Sequence, residues 1–284
     1  MADFVALLGS KGGPAIRKGS PMPTSSVLSL AGQWAVVDCG LGVTRGIVDQ
    51  GLPLKDLSLI FITHLHSDHY LELGPLIHTA WTAGLKTPVR VWGPSGLGRY
   101  WQGFLQSMAE DIECRIEDEG RPDLAGLVSI RVVEAGTPIR EGDWTIKARA
   151  SIHPPLTESW SYSFRAGGRH VVFSGDTAHD PGIADFARGA DLLVHEAMLA
   201  EGLQALQVRI GNGDDRLMAH WLRAHTLASD VATTAAAAGV KALALHHLIP
   251  SDDPAFGPSD WHRACAPNWQ GTLHVAHDGM RIEL

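Results

Sequence analysis

Leu59-Ile60-Phe61-Ile62-Thr63-His64-Leu65-His66-Ser67-Asp68-His69 is an apolar run that ends in a cluster of histidine and carboxylate side chains. Leu57 to Ile62 reads as a strand, and the quoted stretch as a buried strand running into a turn of ligands. Side chains two apart in an extended segment point the same way, so His64 and His66 can grip one metal ion together. Asp68 and His69 fall where the next helix begins, displaced enough to address a second ion.

An open metal site needs at least three protein ligands, and two adjacent metals need a bridging anionic group as well. The remaining candidates lie at the ends of other strand-like runs. Asp176 follows Val171-Val172-Phe173-Ser174-Gly175, where its carboxylate can bridge and Gly175 permits close backbone approach. His247 follows Ala242 to Leu245 in the same manner, and His153 follows the stretch Thr145 to Ala150.

Further strands are predicted at 27–30, 34–37, 89–92, 129–133, 144–148, 162–164, 192–194 and 272–275. Helical periodicity is clearest over 70–83, 98–108, 199–206, 216–224 and 229–238. Many strands in both halves of the chain, with helices between them, predict two sheets packed face to face with helices outside: an α/β, four-layer αββα sandwich. Residues 9–23 read as a loop returning from a first strand, and 117–126 as an exposed polar connection. With no repeat and no linker, residues 1–284 are expected to form a single domain.

The 284 residues are 45% hydrophobic and 19% charged, the composition of a globular protein, and no apolar stretch is long enough to span a membrane. The N-terminus has no basic segment or cleavage pattern, which predicts cytoplasmic residence. Three cysteines without CxxC spacing support neither a disulfide framework nor a cysteine zinc site. The net charge of −8, with no Lys/Arg cluster in the sequence, argues against a polyanionic partner. Histidine is the compositional outlier at 15 residues, and imidazole is the commonest metal-binding side chain.

The HxHxDH run, the lone downstream His153, the Ser-Gly-Asp-Thr at 174–177 and the late His247 resemble the successive ligand motifs of the metallo-β-lactamase superfamily. The resemblance covers nearly the whole chain. It implies a metallo-β-lactamase sandwich with His64, His66 and His153 on one metal, Asp68, His69 and His247 on the other, and Asp176 bridging. The implied cofactors are two divalent ions, zinc foremost, with manganese or iron as alternatives.

True β-lactamases of this fold lack the bridging aspartate, so Asp176 points to the branch that hydrolyses other esters. Leu193-Val194-His195-Glu196-Ala197-Met198 resembles the His-Glu-Ala-Thr motif of ribonuclease Z-like enzymes, with Met198 the departure, and Ala224-His225-Thr226 resembles their His-Ser/Thr motif. The resemblance implies attack by a metal-bridging hydroxide, with His225 donating a proton to the leaving oxygen and Glu196 orienting it. Asp68 joins His225 and Glu196 in the expected catalytic set. Asp38 resembles a buried aspartate that supports the ligand loop by hydrogen bonds.

Two departures matter. Ribonuclease Z proper carries a long arm for gripping transfer RNA between the motifs of His153 and Asp176, and only the 22 residues 154–175 lie there. The ending His247-Leu248-Ile249-Pro250 is closer to arylsulfatase and phosphodiesterase relatives. The expected function is therefore hydrolysis of small anionic esters, phosphodiesters first, with no nucleic-acid or membrane partner and a homodimer as the default. Arylsulfatase or other ester, ether or lactone hydrolysis is the alternative, and a non-catalytic metal sensor a third. Trp81, Trp101 and Trp160 are candidates to border the site, and His179 reads as a loop residue.

Overall fold

The computed structural model describes residues 2–211 and 213–284. In chain order the first strands are β1 (Phe4–Gly9), β2 (Ser25–Leu30), β3 (Gln33–Cys39), β4 (Leu59–Phe61), β5 (Val89–Gly93) and β6 (Val128–Val132). They are followed by β7 (Ile139–Glu141), β8 (Trp144–Ala150), β9 (Trp160–Ala166), β10 (Arg169–Phe173), β11 (Leu192–Met198), β12 (Ala242–Ile249), β13 (Thr272–Val275) and β14 (Met280–Glu283). One sheet has the order β14-β1-β2-β3-β4-β5-β6 and the other β13-β12-β11-β10-β9-β8-β7.

Strands covered on both faces lose the apolar–polar alternation of a half-exposed sheet and read as continuous hydrophobic runs. In β1, Phe4, Ala6 and Leu8 pack outward under helices, whereas Val5 and Leu7 face the second sheet. Phe61 of β4 meets Tyr162 and Phe164 of β9 edge-on between the sheets, with ring centres 5.4 and 5.0 Å away. The outer face of the first sheet is covered by α1 (Val43–Asp49), α2 (Ser67–Tyr70), α3 (Leu73–Thr82), α4 (Leu97–Ser107), α5 (Ala109–Glu119) and α6 (Leu124–Leu127). Against the second lie α7 (Gly182–Phe186), the hairpin α8 (Ala200–Ile210) and α9 (Arg216–Ala224), then α10 (Ala228–Ala238) and α11 (Pro258–Cys265). This is the αββα sandwich expected from the sequence.

The expected helix over 70–83 is instead two, α2 and α3, parted at Glu72. Glu72 donates its amide to the Cys39 carbonyl (2.9 Å), and its carboxylate accepts from the amides of Gly42 and Thr44 at the start of α1. Those amides have no partner within the helix, so one acid satisfies a neighbouring helix end by leaving its own helical path. The polar stretch 117–126 is not a simple exposed connection. It holds the end of α5, a left-handed Gly120 and the Asp123 cap of α6.

Strands β3 to β6 and β10 to β13 run parallel within their sheets. Ligand-bearing loops collect at the carboxyl ends of such strands, where the chain must leave the sheet. The segments after β4 and β10 and the end of β12 carry His64, Asp176 and His247 to one end of the sandwich.

Candidate metal centre and catalytic pocket

Four side chains from three separate segments meet first. His64 Nε2 and His153 Nε2 lie 3.1 and 3.0 Å from His66 Nδ1, and Asp176 Oδ2 stands 3.6 and 3.8 Å from the first two. Three imidazole nitrogens at about the 3.3 Å edge of a tetrahedron with 2.0–2.1 Å metal bonds suit one shared cation. Burial holds the His64 and His66 rings below their usual pKa, and brings His153 to about 4. All three are thus kept in the neutral form that binds a metal.

Asp68, His69 and His247 form a second group that shares Asp176. Asp176 Oδ2 is 3.4 Å from His69 Nε2 and 3.1 Å from His247 Nε2, and Asp68 Oδ2 is 3.3 Å from the latter. His69 Nε2 is buried with no hydrogen-bond partner, an orphan that costs free energy unless an ion takes its lone pair. Burial by itself would raise both carboxyls, yet the surrounding imidazoles hold Asp68 and Asp176 far below the carboxylate range. Burial by itself would lower the His69 pKa, but Asp176, Asp38 and Asp68 around it raise it well above the usual value. Imidazoles and ionised carboxylates packed this closely are a donor set that fits divalent metal.

The outer contacts fix ring orientation. Asp38 accepts from His69 Nδ1 (2.8 Å), the Thr63 amide (2.7 Å) and the Thr63 hydroxyl (2.8 Å), as the sequence reading of Asp38 anticipated. Its φ of 62° is unusual for a residue other than glycine, a strain retained where the loop is held on all sides. Replacing Asp38 by alanine is expected to weaken metal affinity roughly 10- to 100-fold, the usual effect of losing such a partner. Competition with a chromophoric chelator measures it, and unchanged affinity would show that Thr63 alone orients the ring.

His246 and His247 part company at a bulge. The pairing of β11 with β12 shifts between Glu196 and Ala197, and His247 takes φ 45°. His247 therefore turns into the cluster, whereas His246 Nε2 donates away from it to the Gly9 carbonyl (2.8 Å). Gly175, at φ 60°, is required where it stands, since a Cβ there would come within 2.6 Å of the Trp160 carbonyl oxygen.

His225 follows α9, with Nδ1 3.0 and 3.1 Å from the two oxygens of Glu196. Glu196 also accepts from the Thr177 amide (2.7 Å), which ties it to the Asp176 turn. Burial alone would lower the His225 pKa, but the Glu196 carboxylate outweighs it and raises His225 to about 9. With Nδ1 committed to Glu196, Nε2 is the nitrogen left for the cavity, which suits a proton donor better than a ligand.

That cavity, of about 300 Å³, opens beside Asp68, Asp176 and His247. Its apolar wall comes from the α8–α9 hairpin and includes Leu206, Leu217 and Trp221, with His220 beside them. Its polar rim carries Lys11 and Arg17 from the loop after β1. The sequence reading missed all of these. Trp81, Trp101 and Trp160 do not line the cavity: Trp81 and Trp101 are buried under the first sheet's helices, and Trp160 between the sheets. His179 lies exposed in a loop.

A family model described as Anti-Pycsar protein Apyc1 matches residues 6–207. The chain belongs to this family. The Apyc1-family chain is 29% identical over 279 residues to Ribonuclease Z of Mycobacterium bovis strain BCG, covering 94% of this chain and 95% of that protein. Ribonuclease Z of Mycolicibacterium gilvum is 28% identical over 276 residues, covering 94% and 93%. Among solved structures, the metallo-β-lactamase fold protein YhfI from Bacillus subtilis superposes with a TM-score of 0.71 at 20% identity over all of both chains. Zn²⁺-bound PqqB from Methylobacterium extorquens gives 0.70 at 14% over 99% and 100%, and human tRNase Z, short form, 0.67 at 20% over 99% and 98%. This Apyc1-family member is a ribonuclease Z-like, metal-dependent hydrolase of the metallo-β-lactamase fold.

One expectation does not hold. A small-molecule ester substrate with no nucleic-acid partner conflicts with relatives along 94% of the chain that are named as ribonucleases. The inference from net charge failed because charge summed over a chain does not report the field at one cleft. Lys11 and Arg17 of the loop after β1 and the remote Arg209 of α8 gather around Asp252 at the cavity rim. No described helix is long and apolar enough to cross a membrane.

Proposed function

We propose that the protein is a binuclear phosphodiesterase that cleaves ribonucleotide chains, with His225 as proton donor. What carries the reading is His225, held by Glu196, lining the same cavity as His66, Asp68, Asp176 and His247, four of the seven converging imidazole and carboxylate groups. His64, His66 and His153 would hold one ion, and Asp68, His69 and His247 the other, with Asp176 between them. Zinc suits the nitrogen-rich set. When bound, the ions supply a water of lowered pKa and neutralise charge on the phosphate.

The chain's own groups do the rest. Glu196 keeps His225 protonated and turned, and His225 delivers its proton to the departing ribose oxygen, which is a poor leaving group without one. Asp176 and Asp68 balance the added positive charge within a buried site. The three unpaired cysteines, Cys39, Cys114 and Cys265, fit a reducing, cytoplasmic setting. The inter-sheet core, built from both halves of the chain, supports reading 1–284 as one domain.

The test is a zinc-loaded preparation incubated with a 3′-extended RNA, with elemental analysis alongside. Endonucleolytic products that vanish with chelator and return with zinc, together with close to two ions per chain, are expected. Intact RNA, or one ion per chain unchanged by Asp68→Ala in metal-replete protein, would overturn the reading.

A further inference from the structure

Lys11 is a buried cation that the chemistry above does not use. Its backbone is held firmly: the amide donates to the Met22 carbonyl (3.0 Å), and its carbonyl accepts from the Thr24 hydroxyl (3.1 Å). The next two amides tie the loop to the candidate metal centre. Gly12 donates to the Leu248 carbonyl (3.1 Å), and Gly13 to Asp68 Oδ2 (2.8 Å). A Cβ on Gly12 would come within 3.0 Å of the His247 ring and 2.5 Å of Ile249, so the loop packs directly against that strand.

The side chain is 6% exposed and lines the cavity. An ammonium carries three N–H donors, and one of them reaches the Gly12 carbonyl at 3.0 Å. Among the described residues Lys11 makes no other side-chain hydrogen bond and no ion pair with a carboxylate. Asp252, the carboxylate that most favours the Lys11 charge, is already engaged by Arg17 (2.9 Å) and Arg209 (2.6 Å). A desolvated ammonium without a counter-ion is costly to keep, and here it stands in the wall of a cavity that also exposes Asp68.

We propose that Lys11 is a substrate-binding residue whose ammonium holds a non-bridging phosphate oxygen of the substrate in this cavity. The inference rests on the phosphodiesterase reading above and adds the residue that anchors the anion from the protein side. It assigns the loop after β1 to phosphate recognition, with the α8–α9 wall facing the apolar part of the same nucleotide unit.

The experiment is calorimetric titration of the zinc-loaded full chain with inorganic phosphate, for the wild type and Lys11→Met, with metal content measured on both. A charge-assisted hydrogen bond removed in this way should weaken phosphate binding roughly 10- to 100-fold at unchanged metal content. In RNA cleavage the same variant should raise KM while kcat moves little, as expected when a contact is equal in ground and transition states. Phosphate affinity equal to wild type, with metal content equal, would overturn the assignment. Should the methionine variant fail to fold, Lys11→Gln carries the same comparison, because it removes the charge and keeps a polar head. Phosphate binding is read without turnover. Failure of the wild type to cut RNA would therefore remove the proposed function and leave the Lys11 result standing.

Discussion

Asp176→Ala is expected to leave at most one metal ion per chain and to lower phosphodiester turnover by roughly 10³-fold, the equivalent of several kcal/mol of charge stabilisation. Its Oδ2 lies between 3.1 and 3.8 Å from four imidazole nitrogens contributed by both candidate metal groups. Alanine would remove the one anion common to both groups, so two divalent charges would face each other in a buried space with nothing between them. Elemental analysis of metal-replete protein reads the first effect, and steady-state kinetics on a nitrophenyl phosphodiester reads the second. Thermal unfolding of the variant separates a lost ion from a lost fold. A variant that keeps two ions and stays within tenfold of wild-type rate would remove Asp176 from the bridging position.

His225→Ala should produce a loss that depends on the leaving group. Proton donation matters when a ribose alkoxide departs and matters little when the leaving oxygen is already a stable anion such as nitrophenolate. The rate on RNA should therefore fall roughly 10²- to 10⁴-fold, the usual contribution of a positioned acid, and far less on the nitrophenyl diester. Metal content must equal wild type. Equal losses on both substrates would make His225 a binding residue, and wild-type rates on both would take it out of the site. Glu196→Gln should show the same pattern in milder form, since Glu196 contacts His225 at 3.0 Å and donates nothing itself.

What was legible in the sequence was whatever chemistry lies within a few residues of a strand end. The run from Leu59 to His69 announces a strand and its cluster together, because contiguous residues leaving an extended segment can only fan out over one small volume. Asp176 and His247 were visible for the same reason, and the structure brings them to the same point. The cavity was not visible, because it is assembled from segments about 200 residues apart: Lys11 and Arg17 near one end of the chain, Leu206, Leu217 and Trp221 near the other. Tryptophans chosen for proximity in sequence to the ligand motifs went into the core, where large apolar rings are stable without any site to serve. Charge misled for a related reason. Lys11, Arg17 and Arg209 form no run in the sequence and meet only in the fold.

The bulge at the end of β12 gives two adjacent histidines unrelated surroundings, one turned into the candidate metal cluster and its neighbour bonding to the Gly9 carbonyl. Their division of labour is written in backbone geometry, since the side chains are chemically identical. Deleting one residue between Ala242 and Leu245 would slide the ladder by a step and present the wrong imidazole on each side of the sheet. Tolerance at this strand is thus expected to be asymmetric: apolar exchanges within it are mild changes of packing, whereas a length change would disarm the candidate centre while every candidate ligand is still encoded. In an alignment of distant relatives, a single gap placed in this segment would therefore say more about lost activity than several substitutions around it.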